Sequence, residues 1–337
     1  NYPPGKENIG ASYLNVLPRS LWQILERLRR EGYWVKGAPT SEDGLFDAIR
    51  EHGANLGNWQ PGAVAALVRS GRAVLWPVAE YRKHYERLPA AFRENMEKAW
   101  GRPEQSAVSI WRDAQGVPYF LFPAQRWGNL IFAPQPTRGW EQDVKKLYHD
   151  VTVPPHHQYL AFYFWLQHEQ GVNAMVHVGT HATHEWHSGK EVGYTASDPG
   201  ELFVGAVPQL YPYIVDDIGE GLQAKRRGMA TLISHQTPPL DKAGLNPELN
   251  ELVGLISDYA VAREKGDLAP AAIRADIAAR AARMGLLKDL GLNELDDHGI
   301  DEMEHYIKEI EEKRSPFGMH TFGVAQSAER RRGTAEA

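Results

Sequence analysis

The sequence contains no cysteine. That absence removes disulfides, thiolate metal sites and thiol nucleophiles, and it fits a reducing, cytoplasmic compartment. Any metal chemistry must then run on histidine and carboxylates. Long apolar runs are also missing. The longest apolar and aromatic stretch, Tyr159 to Leu166, falls far short of the roughly 20 residues that span a bilayer, so no membrane span is expected. Nor is there a basic excess. Lys and Arg total 37 against 43 Asp and Glu, and the net charge of -6 over 337 residues excludes a general affinity for nucleic-acid phosphates. No Gly-x4-Gly-Lys-Ser/Thr loop occurs, so the chain offers no P-loop cradle for a nucleotide. Behind Asn1 stands neither a basic n-region nor an apolar h-region, so nothing resembles a signal peptide. The chain reads as a fragment or a processed product.

What is present is a globular mixture, 42% apolar and 24% charged, with 14 His, 14 Tyr, 10 Trp and 10 Phe. Flat apolar ligands and metals both use these side chains. Apolar spacing predicts helices over 14–31, ending at Gly32, over 43–52 and over 81–100, and strands over 73–77, 107–111, 117–122 and 129–133. A buried helix over 159–169 is followed by a buried strand over 173–178 that runs into Gly179 and a helix from His181. In α/β folds that order places ligands at the carboxyl ends of strands. From Pro247 to Lys313 the composition turns to Ala, Leu, Glu, Lys and Arg, and helices are expected over 271–284 and 302–313. The expected class is α/β, layered domains with a parallel sheet, plus a helical C-terminal segment. The expected divisions are 1–105, an α/β domain; 106–240, the domain of the site; 241–325, mainly helical; and 326–337, a flexible polar tail.

Chemistry concentrates in the stretch from His177 to Lys190, which places His177, His181, His184, Glu185 and His187 within eleven residues. Imidazoles and a carboxylate at this density suit divalent transition metals and proton transfer near neutral pH. On a helix from His181, the residues His181, His184 and Glu185 would share one face while His187 lies aside. The zincin signature needs two His four apart with Glu directly after the first, and His184-Glu185-Trp186-His187 is one residue too short. Burial beside Trp186 would raise the Glu185 pKa toward acid or base work. Taken singly, each histidine has the alternative of a capping or core role.

The run from His177 to Arg227 resembles the large subunit of the cobaltochelatase and magnesium chelatase family, whose pattern reads His, apolar, Gly, x, His, then Glu-Trp and a Gly-Lys. Pro208-Gln-Leu-Tyr-Pro-Tyr-Ile-Val215, followed by Asp217 to Arg227, is similar to the cobalt-type version. Further segments agree at Asn1 to Gly10, Asn55 to Asn58, Gly128 to Gly139, Tyr148 to Asp150 with Pro154 to His156, Thr237 to Pro239, and Phe317 to Gly323. The family usually has Gly at Ala182, a small apolar residue at His184, and Leu-Pro at His187-Ser188, and its Asn-Tyr-Pro-Pro motif follows a β-strand, so the resemblance implies that the 1–105 domain lacks its first strand.

The resemblance implies metal insertion into a tetrapyrrole, which must strip water from a divalent cation and remove inner N–H protons from the macrocycle. It gives Glu185 the role of proton acceptor, His181 and His177 those of metal delivery or orientation, and His184 and His187 those of accessory ligands. Tyr148, His149, Asp150, His156 and Trp186 become substrate-binding candidates, the first four with a Pro-anchored structural turn as their alternative. Lys225, Arg226 and Arg227 would pair with the macrocycle's carboxylates, or else lie on a solvated helix face or a subunit contact. The substrate metal would be divalent cobalt, the macrocycle a corrin precursor, and ATP would be spent by a separate AAA+ partner subunit. Three competing readings remain: a tetrapyrrole- or metal-binding module without turnover, a magnesium chelatase subunit, and a His-dependent metallohydrolase.

Overall fold

The structure is a computed structural model that describes residues 17–52, 61–106, 110–136, 152–178, 187–190, 192, 194–195, 197–213, 218–234, 247–265, 270–292, 295–313 and 321–336. The chain divides into two units, Asn1–Thr237 with Met319–Ala325, and Pro238–Gly318 with Gln326–Ala337.

The first unit opens with helices α1 (Leu17–Arg30), α2 (Glu42–His52) and α3 (Pro61–Arg69). Helix α1 stops where Gly32 takes a positive φ of 83°, a conformation glycine reaches without penalty. Leu25, Leu45 and Ile49 of α1 and α2 are buried against Trp127. Strand β1 (Val74–Pro77) is followed by α4 (Val78–Tyr85) and α5 (Ala90–Trp100). The charged run over 81–100, expected as one helix, is thus two. Pro89 cannot supply the N–H a continuous helix would need, and it stands instead immediately before the first residue of α5.

Strands β2 (Ile110–Arg112) and β3 (Pro118–Phe122) complete a three-stranded antiparallel sheet in the order β1-β3-β2, which joins residues from both sides of position 105. Side chains alternate across it. Phe120 and Phe122 face the largest core, whereas Leu121 packs with Val64 and Leu67 of α3. A hairpin of β4 (Gln125–Trp127) and β5 (Leu130–Phe132) follows; β4 has no counterpart in the sequence expectation.

Helix α6 (His157–Phe164) is buried along its whole length and passes into a π-helical turn, Trp165–Glu169. Gln167 in that turn donates from Nε2 to the carbonyls of Leu202 and Phe203, at 3.1 and 2.9 Å. It thereby satisfies the carboxyl end of α7 (Pro199–Val204), whose last carbonyls have no helical partner. The only parallel pairing among the described residues is the sheet β6-β7-β8: β6 (Met175–Val176), β7 (Gln209–Tyr213) and β8 (Thr231–Ser234), linked by α7 and by α8 (Ile218–Gly228). The fold is α/β as expected, with the parallel sheet confined to three short strands and the preceding sheets antiparallel.

The second unit is helical: α9 (Pro247–Lys265), α10 (Pro270–Arg283), α11 (Leu286–Asp289), α12 (Asp297–Lys313) and α13 (Ala328–Glu336). Leu252, Ile256, Ile277, Ala281 and Met303 form its core. The polar stretch expected to fray carries α13. Its start is favoured by Ser327, whose Oγ accepts from the Arg330 N–H at 3.1 Å, as an N-cap does. Among the described residues no helix is long and apolar enough to cross a membrane.

One core group makes the first unit acid-sensitive. His157 lies between the Tyr81 hydroxyl on Nδ1 and the Gly101 carbonyl on Nε2, each at 2.9 Å. The carbonyl only accepts, so Nε2 carries the proton and Nδ1 accepts from Tyr81. Burial pushes this imidazole down to about 4, outweighing the bond to Gly101, which favours the charged form. An unfolded histidine titrates near ~6.5. Between those values the unfolded chain binds a proton that the folded chain refuses, so stability falls as pH drops, by up to ~1.4 kcal/mol per unit. Urea midpoints measured at pH 7.5 and 5 should show this loss, and His157→Gln should shrink it. An equal loss in the variant would place the acid sensitivity elsewhere.

Candidate functional site

The candidate site is framed by the parallel sheet. Met175 pairs with Gln209 and Val176 with Leu210, and the ladder continues as the His177 N–H donates to the Leu210 carbonyl at 2.9 Å. Because strand side chains alternate, Met175 and His177 share a face with Gln209 and Tyr211. His177 thus stands at the carboxyl end of β6, as expected from the strand and glycine order, although the strand itself is only two residues long.

The His177 ring stacks on Tyr163 (centroids 6.4 Å, 25°) and meets Tyr211 edge-on at 6.3 Å, while its Nε2 lies 2.7 Å from Gln209 Oε1. The residue as a whole is half-buried, but the enclosure of its ring governs the titration. Burial pushes the imidazole down to about 4, against the Gln209 bond that would raise it. The ring is neutral at physiological pH.

His187 is 1% exposed. Its ring lies 4.5 Å from Phe203 and 5.7 Å, edge-on, from Tyr159. Tyr159 and Tyr163 touch each other at 5.4 Å, and both touch Phe203. The two histidines that bound the His-rich stretch therefore rest on one set of three rings, supplied by α6 and α7. His181, His184, Glu185 and Trp186 lie outside the described residues, as do Tyr148, His149 and Asp150.

The stretch after His187 is tied down twice. Arg227, 4% exposed on α8, donates from Nη1 to the His187 carbonyl at 2.5 Å. Asp198 accepts from the Lys190 N–H at 3.1 Å, the Thr195 N–H at 2.7 Å and the Thr195 hydroxyl at 3.0 Å. Burial opposes the charge on Asp198. The bonds from Thr195 and Lys190, with the Lys190 ammonium, outweigh it and hold the carboxyl below the usual aspartate range. Gly189 is what lets that carboxylate approach. Its φ is +94°, and a Cβ there would lie 2.7 Å from Asp198 Oδ1. The Gly-Lys pair of the sequence motif thus has a local physical reason.

The three basic residues of α8 separate. Ala224 and Arg227, three apart, face inward, and Ala224 packs with Tyr211 and Ala230. Lys225 and Arg226 are exposed in the last turn, where the helix dipole favours cations. His156 is fully buried and acts as the N-cap of α6, its Nδ1 accepting from the Tyr159 N–H at 3.2 Å. Asp198, Gln209, Tyr163 and Phe203 were not singled out in the sequence. Asp198-Pro199 at a helix start was the one local signal available, since the other contacts join residues tens of positions apart. Among the described residues no group of three or more His, Asp or Glu is placed to hold a metal ion.

Comparison with known proteins supplies what local geometry does not. The family described as CobN/Magnesium Chelatase matches residues 1–337. The aerobic cobaltochelatase subunit CobN of Pseudomonas aeruginosa is 32% identical over 97% of this chain and 25% of its own length. The H-type magnesium-chelatase subunit of Chlorobaculum parvum is 31% identical over 96% of this chain and 24% of its own. Among solved structures, the catalytic subunit of cobaltochelatase from Mycobacterium tuberculosis superposes with a TM-score of 0.61 at 29% identity, covering 93% of this chain and 26% of that one. The chain spans about a quarter of the length of these relatives.

Proposed function

Because the chain belongs to the CobN/Magnesium Chelatase family, we propose that it forms part of the tetrapyrrole-binding subunit of an ATP-dependent chelatase that inserts cobalt into a corrin-type macrocycle. The observation that carries the site assignment is the shared anchorage of His177 and His187 on Tyr159, Tyr163 and Phe203. It brings together both ends of the stretch that holds His181 and Glu185. Neutral imidazoles suit a borderline divalent cation that must shed water, and a carboxylate suits the removal of macrocycle N–H protons. In this reading His177 and His181 hand over the metal, Glu185 takes the proton, and His184 and His187 assist. Trp186, Tyr148, His149 and Asp150 shape the macrocycle's surroundings, His156 contributes only as the buried N-cap of α6, and Lys225 and Arg226 offer exposed cations for its carboxylates. Arg227 acts from below, by holding the His187 carbonyl.

Cobalt rather than magnesium rests on the stretch from Pro208 to Arg227, since the cobalt and magnesium relatives match at nearly equal identity. ATP is spent by a separate AAA+ partner in the cytoplasm. Tryptophan fluorescence quenching of the full-length subunit by a metal-free corrin and a metal-free porphyrin, followed by insertion assays with Co²⁺ or Mg²⁺, ATP and the partner, tests this. The expected result is corrin binding and cobalt insertion. Preferential insertion of magnesium into the porphyrin would move the protein to the magnesium class. Binding without metallation would make it a carrier module, and absence of macrocycle binding would favour a hydrolase.

A further inference from the structure

We propose that Gln167, in the π-helical turn after α6, is a positioning residue: by holding the carboxyl end of α7 it sets the ring of Phe203 against His187. The last four carbonyls of α7 divide between two kinds of donor. The Gly205 N–H donates to the Glu201 carbonyl at 2.9 Å and the Val207 N–H to that of Val204 at 3.2 Å. The two between them, Leu202 and Phe203, take the Gln167 amide at 3.1 and 2.9 Å. A primary amide carries two N–H bonds on one nitrogen, so a single side chain serves both acceptors. Turning the amide over would set its oxygen against two carbonyl oxygens and leave both without that donor. The oxygen end instead lies against Gly205, where φ is +54° and an added Cβ would collide with Gln167 Oε1. Glycine at that position lets the amide reach the helix end. The turn that delivers Gln167 is wider than an α-helix, with the Gln170 N–H donating to the Trp165 carbonyl at 2.9 Å. Such turns are rare, and those that occur are often at functional sites. Phe203, 1% exposed, accepts from Gln167 through its backbone while its ring lies 4.5 Å from His187 and touches Tyr159 and Tyr163. Displacement of the α7 end therefore carries that ring with it. The placement of Phe203 stands on these contacts alone; its bearing on macrocycle binding rests on the chelatase reading.

Three substitutions separate donation from packing. Gln167→Glu keeps the shape but presents oxygen to two carbonyls that need donors, at a helix end whose dipole disfavours an anion. Gln167→Leu removes the donors without adding charge. Gln167→Lys restores them, with three N–H bonds on one nitrogen at an end that favours cations. NMR of histidine-labelled protein at pH 7.5 reads the His187 ring signals, which the Phe203 ring current displaces; His187→Asn identifies them. The expected result is shifted His187 signals in Gln167→Glu and Gln167→Leu, and parental signals in Gln167→Lys. Parental signals in Gln167→Glu or Gln167→Leu, or a shift or loss of the fold in Gln167→Lys, would overturn the proposal, since shape rather than donation would then place Phe203. Loss of the fold in Gln167→Glu beside a folded Gln167→Lys supports it. In the full-length subunit, tryptophan quenching by a metal-free corrin or porphyrin should show affinity weakened about tenfold, ~1.4 kcal/mol, in Gln167→Glu and parental in Gln167→Lys. Unchanged affinity in Gln167→Glu, with the His187 signals shifted, would remove the link to macrocycle binding and leave the placement of Phe203 standing. Absence of macrocycle binding by the parent would instead overturn the chelatase reading.

Discussion

Replacing Glu185 with Gln in the full-length subunit, assayed with its ATPase partner, is expected to slow metal insertion by about 10²–10⁴-fold, the range that positioned general bases supply. The exchange keeps the size of the side chain and most of its hydrogen bonding, and removes only the capacity to accept a proton. A divalent cation cannot settle in the macrocycle while the inner N–H protons remain, so the loss falls on the insertion step. Macrocycle affinity should stay within about threefold of the parent, because an interaction used in the transition state need not contribute to ground-state binding. His181→Ala should behave differently. Removing an imidazole that hands over the metal raises the cobalt concentration required for half-maximal rate. A Glu185→Gln subunit that inserts metal at the parental rate but binds the macrocycle roughly tenfold more weakly, about 1.4 kcal/mol, would show Glu185 to be a binding residue instead.

The local features of the fold were legible from short-range chemistry. Gly32 ends α1, the Ala-rich periodicity after Pro247 becomes a helical unit, and the strand expected over 173–178 is present in a parallel sheet, shortened to Met175–Val176 with His177 directly after it. Features that depend on one residue against a longer pattern were read less well. Pro89 splits a run whose apolar spacing is helical throughout, and β4 is too short to show a period of two. The reading of the site divides in the same way. The clustering of histidines with a carboxylate is visible in the sequence, yet what holds its two ends lies far off in sequence: Gln209 is 32 residues from His177, and Arg227 is 40 from His187. Burial also reorders the basic residues of α8. Three adjacent cations are equivalent in sequence, but helical geometry turns Arg227 into the interior and leaves Lys225 and Arg226 in solvent.

Tyr159→Ala is expected to give the largest loss of stability in the first unit, about 3–5 kcal/mol, the usual cost of truncating a fully buried aromatic. Tyr159 has no solvent exposure, and its ring contacts His156, Tyr163, His187 and Phe203. Its hydroxyl accepts from Gln135 Nε2 at 2.7 Å, so one residue joins the N-cap of α6, the aromatic platform and the segment after β5. Truncation removes the ring from the centre of that set and takes from His187 its edge-on contact with Tyr159. Tyr159→Phe keeps the ring and gives up one hydrogen bond, at about 1 kcal/mol. For a unit of this size each kcal/mol is roughly 2–4 °C in Tm, so thermal melts followed by near-ultraviolet circular dichroism should resolve the two variants clearly. If Tyr159→Ala melted within about 2 °C of Tyr159→Phe, the platform under His187 would be maintained by Tyr163 and Phe203 without it. In the expected case, the same truncation should also weaken macrocycle binding by the full-length subunit well below its melting temperature, because the residue that supports one end of the histidine stretch has been removed.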